Sequence, residues 1–181
     1  MSAGAAKALT SSSCFELFGL PARYSVDQEM LEKAYRDIQS QVHPDRFAHA
    51  GDAERRASLQ WTTRVNEAHR TLKDPVQRGK HLLELHGVDV AFETNTRMPT
   101  DFLMQQLELR EELESATGRR DSSRLDGLRS RLRVQKKELE KRIADAIDAK
   151  KDYPGAAELV RKLMFLDRLD EEIDMAYEDI E

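Results

Sequence analysis

The chain has 181 residues, of which 35% are charged and 39% are hydrophobic, and its formal net charge at pH 7 is -5. This negative charge argues against general binding to nucleic acid or to anionic lipid, because both attract basic surfaces. Apolar runs fall short of the roughly 20 residues that a membrane-spanning helix needs. Glycine and proline are scarce, at 8 and 5 residues, while good helix formers fill long stretches. The composition therefore predicts an all-α fold.

Cys14 is the only cysteine in the sequence. One thiol cannot form an internal disulfide or a multi-cysteine zinc site, so we expect a reducing compartment. The residues before it are small and polar and lack the apolar core of a secretory signal. We interpret residues 1–11 as a disordered leader.

Two capping patterns precede the first helices. Ser13 is followed by Glu16, and Ser25 by Gln28, each with the three-residue spacing of a capping box. The first pattern predicts a short helix, and the second predicts a longer amphipathic helix. The apolar stripe of the second helix comprises Leu31, Tyr35, Ile38 and Val42.

The motif His43-Pro44-Asp45 directly follows this helix. Proline has no backbone N–H and disfavours the α conformation in the residue before it, so the helix should end at the motif. An ordered loop would then present an imidazole, a rigid ring and a carboxylate within three residues. Taken without its flanks, the tripeptide would be interpreted as a plain loop that stops a helix.

Another amphipathic helix is predicted after the loop, over about residues 53–72, because Gly51-Asp52 is typical of a turn with an N-cap. Asp74-Pro75 then predicts the cap and first turn of a fourth helix, which should end near Gly87. The apolar positions of the third helix are Leu59, Thr62, Val65, Ala68 and Leu72.

The order of these helices, with His43-Pro44-Asp45 between two that pair antiparallel, resembles a J-domain over about residues 12–86. J-domains are the modules by which co-chaperones engage DnaK-type ATPase chaperones. The stretch from Phe15 to Pro21 and the pair Asp74-Pro75 are also similar to J-domain sequences.

The J-domain resemblance implies that His43, Pro44 and Asp45 contact the chaperone. The Asp45 carboxylate suits this role, because it can accept charge-assisted hydrogen bonds from an arginine of the partner. Nearby positive charge would steer the encounter electrostatically. The residues that would supply it are Lys33, Arg36 and Arg46.

Residues 87–98 are predicted to form a linker, and residues 99–181 a C-terminal domain. Its three helices are expected over about residues 100–117, over about 121–151, and from Pro154 to the C-terminus. Heptad-like stripes on the last two predict an antiparallel three-helix bundle. These stripes comprise Leu125, Leu128, Leu132, Leu139, Ile143 and Ile147, then Leu159, Leu163, Leu166, Ile173 and Ile180. The basic second helix and the acidic end of the third favour pairing with each other over binding to nucleic acid.

The first helix of the bundle has two apolar faces when its residues are placed at about 100° intervals. One face comprises Phe102, Leu109, Leu113 and Ala116. The second comprises Leu103, Met104 and Leu107, beside Glu108 and Glu111. A helix in a three-helix bundle needs one buried face, so the second must meet the linker, the J-domain or another protein. Phe165 lies about 120° from the stripe of its own helix and is a candidate interface anchor.

Packing within the chain would also explain the second face. A methionine–leucine surface edged with carboxylates is, however, typical of protein recognition. A J-domain followed by a small helical bundle, with the segments Phe102–Leu113 and Arg161–Asp167, resembles the HscB family of iron–sulfur cluster co-chaperones. This resemblance spans nearly the full chain.

The HscB resemblance implies that the C-terminal domain binds an IscU-type scaffold and that the J-domain delivers it to an HscA/DnaK-type chaperone, whose ATPase it stimulates. The implied scaffold-binding residues are Leu103, Met104, Leu107, Glu108, Glu111 and Phe165. Many eukaryotic members carry a cysteine-rich zinc module, which the lone Cys14 does not allow here. We therefore expect a bacterial, cytoplasmic protein.

Catalytic chemistry is not indicated by the sequence. It has no glycine-rich phosphate loop and no nucleophile motif, and His43, Asp45 and His49 fit no standard metal site. We expect no enzymatic activity, no cofactor and no metal. Two alternative functions stay open: a J-domain co-chaperone for a different client, and a structural helical protein that mediates interactions.

Overall fold

The computed structural model describes residues 13–47, 51–90 and 99–180. Over these ranges the chain is helical and contains no β-strand, which confirms the all-α prediction. None of the described helices is long and apolar enough to cross a membrane. Packing divides the chain into two compact units, with the boundary between Leu85 and His86. The predicted disordered leader and most of the predicted linker, residues 91–98, lie outside the described residues.

The N-terminal unit consists of an antiparallel helix pair with a short helix at each end of the chain segment. Its helices are α1 (Cys14–Leu17), α2 (Gln28–Val42), a 3-10 turn (Pro44–Phe47), α3 (Asp52–Lys73) and α4 (Pro75–Leu85). Val42 at the end of α2 contacts Ser58 near the start of α3, whereas Glu32 near the start of α2 pairs with Lys73. Helices α1 and α4 pack on α3.

The capping prediction is confirmed for α1 and wrong for α2. Ser13 and Glu16 form the full reciprocal capping box at the start of α1. The N-cap of α2 is Asp27 rather than Ser25, because its carboxylate accepts hydrogen bonds from the backbone N–H groups of Glu29 and Met30. Aspartate and serine are about equally good N-caps, so the pattern alone did not distinguish the two positions.

The buried face of α3 differs at one position from its prediction. Leu59 is 55% exposed, while the neighbouring Ser58 is fully buried. Val65, Ala68 and Leu72 are buried as expected. The helical period was therefore correct, but the contact with α2 is centred one residue earlier at this end, where Ser58 donates a hydrogen bond to the backbone of α2.

The C-terminal unit is the predicted three-helix bundle. It contains α5 (Thr100–Gly118), α6 (Ser122–Ala144), which continues as a π-helical turn (Asp145–Lys150), and α7 (Tyr153–Ile180). The predicted stripe of α6 is buried along its whole length, as are Leu163, Leu166 and Ile173 of α7. Leu159 and Ile180 are half-buried.

Ion pairs between α6 and α7 explain why the apolar stripe of α6 is interrupted at Lys136. Lys136 Nζ lies 2.6 Å from Asp167 and 3.0 Å from Asp170. Burial acts to lower the pKa of Lys136, but its hydrogen bonds to the two carboxylates outweigh this effect and raise it. Arg129, about two turns before Lys136 on α6, pairs with Asp170 and Asp174. The basic and acidic helices therefore pair with each other, as their charges predict.

His81 ties α4 to the start of α1. Its Nε2 accepts a hydrogen bond of 3.1 Å from the backbone N–H of Cys14, and its ring stacks on Phe15 at 5.9 Å. Accepting this bond requires an unprotonated Nε2. Burial lowers the pKa of His81, with Glu84 opposing the shift and Arg64 adding to it.

This arrangement predicts that acid weakens the N-terminal unit. Because the pKa of His81 is lower in the folded state, its stabilising effect is present above about pH 6.5, the usual pKa of unfolded histidine, and is lost as the pH falls through the folded-state pKa. His81→Gln keeps a hydrogen-bond acceptor that does not titrate. We expect its thermal midpoint to fall less than that of the wild type between pH 7 and pH 5. Trp61, the only tryptophan, lies in this unit and provides the fluorescence signal.

His86→Gln is the matched control, since His86 belongs to the C-terminal unit and stacks on Tyr153 there. It should leave the pH dependence of the Trp61 signal unchanged. Parallel pH curves for the wild type and His81→Gln would contradict the assignment.

Candidate partner-binding sites

The His43-Pro44-Asp45 motif forms a compact turn at the end of α2. His43 follows the last helical residue in an extended conformation (φ -56°, ψ 132°), and Pro44 begins the 3-10 turn. The backbone N–H of Asp45 donates a hydrogen bond of 3.3 Å to His43 Nδ1. The Asp45 carboxylate lies 3.5 Å from the same nitrogen and is 90% exposed.

These contacts define what the turn offers a partner. In a neutral imidazole only one ring nitrogen carries hydrogen, so Nδ1 as an acceptor assigns that hydrogen to Nε2. The turn thus presents an N–H donor on His43 and an acceptor carboxylate on Asp45. Both side chains are exposed.

The cations predicted to assist this motif lie on α2 and in the turn. Lys33 and Arg36 are exposed, and by helical counting they lie about 60° from each other on the side of α2 away from the buried Leu31. Arg46 belongs to the 3-10 turn itself. Lys33, Arg36 and Arg46 therefore come from the same short stretch of chain as the motif.

Two residues of α3 that support the turn were missed by the sequence analysis. The hydroxyls of Ser58 and Thr62 both approach the carbonyl oxygen of Val42, at 2.6 Å and 3.2 Å. A pair of hydroxyl residues four apart on the inner face of a helix is the signal that could have found them. The predicted apolar positions of α3 include Thr62 but not Ser58.

The two faces of α5 are confirmed by the exposure of its side chains. Phe102, Leu109, Leu113 and Ala116 are all buried. Leu103, Met104 and Leu107 are 46%, 61% and 59% exposed. We call these three residues the apolar patch. Glu108 and Glu111 are exposed beside it.

Phe165 of α7 lies at the border of the apolar patch. It is half-buried and meets Phe102 edge-on, with ring centroids 5.9 Å apart. The guanidinium of Arg110 lies 5.0 Å from the Phe165 ring centroid and pairs with Glu172 at 3.1 Å. By helical counting Arg110 is about 20° from Leu103, so Phe165 borders the Leu103 side of the patch.

Arg110 was not predicted as part of this surface. A cation over an aromatic face is attracted by the electrons of the ring, and the contact holds Phe165 in its position at the edge. The predicted scaffold-binding residues are thus brought to one side of the C-terminal unit. Five of them lie on α5, and Phe165 comes from α7.

Metal ligands are not clustered in the described part of the chain. No group of three or more histidine, cysteine, aspartate or glutamate side chains is arranged to hold an ion there. Cys14 is buried, and burial raises the pKa of its thiol, with Arg64 opposing the shift. This environment disfavours the reactive thiolate.

Comparison with known proteins gives a consistent set of matches. Residues 98–174 match the family described as the HSCB C-terminal oligomerisation domain. The chain is 50% identical over 167 residues to the co-chaperone protein HscB homolog of Azoarcus sp. (strain BH72), covering 92% of this chain and 94% of the relative. It is 49% identical over 169 residues to that of Burkholderia mallei (strain SAVP1), covering 93% and 96%.

Solved structures of HscB and Jac1 proteins also match this chain. The chaperone HscB from Vibrio cholerae matches with a TM-score of 0.82 and 32% identity, covering 94% of this chain and 100% of that one. Human co-chaperone protein HscB matches with a TM-score of 0.85 and 28% identity, covering 91% and 82%. The Jac1 co-chaperone of Saccharomyces cerevisiae has the same fold at 22% identity, with a TM-score of 0.74 and coverage of 91% and 96%.

The exposures on α5 predict a small loss of stability for one alanine variant and a large loss for another. Replacing Leu103, Met104 and Leu107 together should cost at most about 0.5 kcal/mol per site, because the side chains are exposed. Phe102→Ala should cost about 3–5 kcal/mol, because it leaves a cavity under Phe165. Amide hydrogen exchange of peptides from the C-terminal unit, measured in the intact chain, compares the two.

The triple variant should protect these amides almost as well as the wild type does, whereas Phe102→Ala should lose protection throughout the bundle. Equal losses in both variants would mean that the apolar patch belongs to the core and that the binding site lies elsewhere.

Proposed function

Because the chain belongs to the HscB family of co-chaperones and acts in iron–sulfur cluster biogenesis, we propose that it delivers an IscU-type scaffold to an HscA/DnaK-type ATPase chaperone. The observation that carries the proposal is the apolar patch, exposed on a helix whose opposite face is already buried. The exposed His43–Asp45 turn on the other unit supplies the second contact. We further propose that the protein works in the bacterial cytoplasm.

At the N-terminal unit, the turn is suited to dock on a basic site of the chaperone. The Asp45 carboxylate would accept charge-assisted hydrogen bonds from an arginine there. The hydrogen bond between Asp45 N–H and His43 orders the turn before docking, which reduces the entropy lost on binding. Lys33, Arg36 and Arg46 would accelerate the encounter with an acidic surface.

Hydrolysis of ATP would remain the work of the chaperone. A binding protein shifts its partner between conformations only by binding one of them more tightly. Docking of the His43-Pro44-Asp45 turn would therefore stabilise the hydrolysis-competent conformation of the chaperone. No catalytic group from this chain is needed for that effect.

At the C-terminal unit, the apolar patch is suited to bind a complementary apolar surface of the scaffold. Leucine and methionine adapt to such surfaces, and Phe165 offers an aromatic anchor at the border. Glu108 and Glu111 would form a polar rim and favour a scaffold with basic residues facing them. One chain that holds both partners raises the effective concentration of the scaffold at the chaperone.

The chaperone contact is tested by His43→Gln. Gln cannot reproduce an acceptor at the Nδ1 position together with an N–H donor at the Nε2 position, so stimulation of the chaperone's ATPase should be lost. Scaffold affinity, measured by isothermal titration, should change less than twofold. His81→Gln is a matched control on α4 and should keep stimulation. A His43→Gln protein that stimulates normally would contradict the J-domain role.

The scaffold contact is tested by the alanine triple variant of the apolar patch. Because interface anchors each contribute more than about 1 kcal/mol, the dissociation constant for the scaffold should rise about a hundredfold, equivalent to about 2.7 kcal/mol. ATPase stimulation by the variant without scaffold should stay near the wild-type level.

Met175→Ala provides the control for the patch. Met175 is an apolar residue of α7 with a similar exposure, 56%, and is not part of the predicted site. It should bind the scaffold like the wild type. Unchanged affinity of the triple variant would place the scaffold site elsewhere on the chain. No scaffold binding by the wild type, with stimulation lost in His43→Gln, would indicate a J-domain co-chaperone for another client.

A further inference from the structure

The end of α2 is held by side chains of α3. The last carbonyl groups of a helix have no donor within the helix and need other partners. Backbone caps usually supply them, but Pro44, two residues after the helix ends, has no N–H to donate. The carbonyl of Val42, the last helical residue, instead accepts hydroxyl groups from across the helix pair.

Ser58 is the main donor to this carbonyl. Its Oγ lies 2.6 Å from the Val42 oxygen, and the residue is fully buried. Thr62 Oγ1 lies 3.2 Å from the same oxygen and 2.9 Å from the carbonyl oxygen of Ser58. Since a hydroxyl has one hydrogen, Thr62 divides its donation between these two acceptors and is the auxiliary donor.

Val42 is directly followed by His43, whose backbone leaves the helix in an extended conformation. A displacement of the Val42 carbonyl therefore rotates the peptide that carries the imidazole. Helix α3 also packs against the 3-10 turn that contains Asp45. Helix α3 therefore fixes both ends of the exposed motif, through the Val42 carbonyl on one side and the 3-10 turn on the other. It is the longest of the described helices in the unit.

We propose that Ser58 and Thr62 are positioning residues for the His43-Pro44-Asp45 turn, acting through the Val42 carbonyl. The proposal rests on the chaperone contact described above. The two hydroxyls keep the turn in its docking conformation before the chaperone arrives. They contact no partner themselves, and they contribute by keeping the docking-competent fraction of the turn high.

This role has a defined kinetic signature. When only a fraction of the molecules is competent to bind, the apparent dissociation constant rises by the inverse of that fraction, while the bound state is unchanged. Loss of both hydroxyls should raise the co-chaperone concentration for half-maximal ATPase stimulation about tenfold, equivalent to about 1.4 kcal/mol. The maximal stimulated rate should stay the same.

The experiment compares Ser58→Ala/Thr62→Val with Ser58→Ala/Thr62→Ser in the full chain. The first removes both hydroxyls, whereas the second keeps a hydroxyl at position 62 within reach of the Val42 carbonyl. We expect the first variant to show the tenfold shift and the second to recover part of it. Hydrogen exchange of amides in residues 43–47 should be faster in the first variant only.

Thr63→Val is the matched control. Thr63 Oγ1 donates to the carbonyl oxygen of Leu59 within α3, at 3.0 Å, in the same way that Thr62 donates to Ser58, but on the exposed side. It should change neither the half-maximal concentration nor the exchange of the turn. Thermal unfolding followed by Trp61 fluorescence verifies that each variant is folded at the assay temperature.

Equal behaviour of the two double variants would overturn the proposal, because the hydroxyl would then have no role. A lower maximal rate without a change in half-maximal concentration would overturn it as well. Full stimulation by His43→Gln would instead show that the underlying chaperone contact is wrong. Exchange of the turn can be measured without any chaperone, so it tests the positioning role separately.

Discussion

The antiparallel pairing of α2 with α3 determines what the N-terminal unit can present to a partner. A helix that stops at His43-Pro44 loses the backbone donors that normally close a helix end. Its last carbonyl must find donors elsewhere, and Ser58 and Thr62 supply them. The turn that follows is short and hydrogen-bonded through Asp45 and His43, so its exposed groups are ordered without being buried. This combination of order and exposure is what a docking element needs, because the entropy cost of ordering is met by folding rather than by binding.

A different constraint shapes the C-terminal unit. Three helices can bury one face each, and α6 and α7 do so with almost continuous apolar stripes and with ion pairs around Lys136 and Arg129. Helix α5 carries more apolar surface than this arrangement can cover. The apolar surface that stays uncovered is the apolar patch. Its exposure is tolerated because the buried face of α5 already holds the helix in place. The exposed apolar patch and the buried face thus occupy one helix without sharing residues.

Much of this organisation could be predicted from the sequence, since it follows from helical periodicity. The stripe of α6 and the two faces of α5 are regular repeats, and their exposures match the predicted faces. Details that depend on tertiary contacts could not be derived in the same way. Asp27 rather than Ser25 caps α2, because aspartate and serine are about equally good N-caps. Ser58 rather than Leu59 faces α2, because periodicity gives the repeat of a buried face but not its exact centre. Arg110 over Phe165 depends on the register between α5 and α7, which is not encoded within either helix alone.

The charges beside the apolar patch divide into two groups that have different roles. Glu112 is half-buried and pairs with Arg131 of α6, and Arg110 pairs with Glu172 of α7, so these side chains join α5 to its neighbours. Glu108 and Glu111 are exposed. By helical counting Glu108 lies about 40° beyond Met104, and Glu111 lies between Leu107 and Met104. Surface ion pairs contribute little to stability, and carboxylates placed at the rim act mainly on the rate and specificity of association. Acidic residues beside an apolar patch would add a charge preference to the shape of any protein contact that the patch makes.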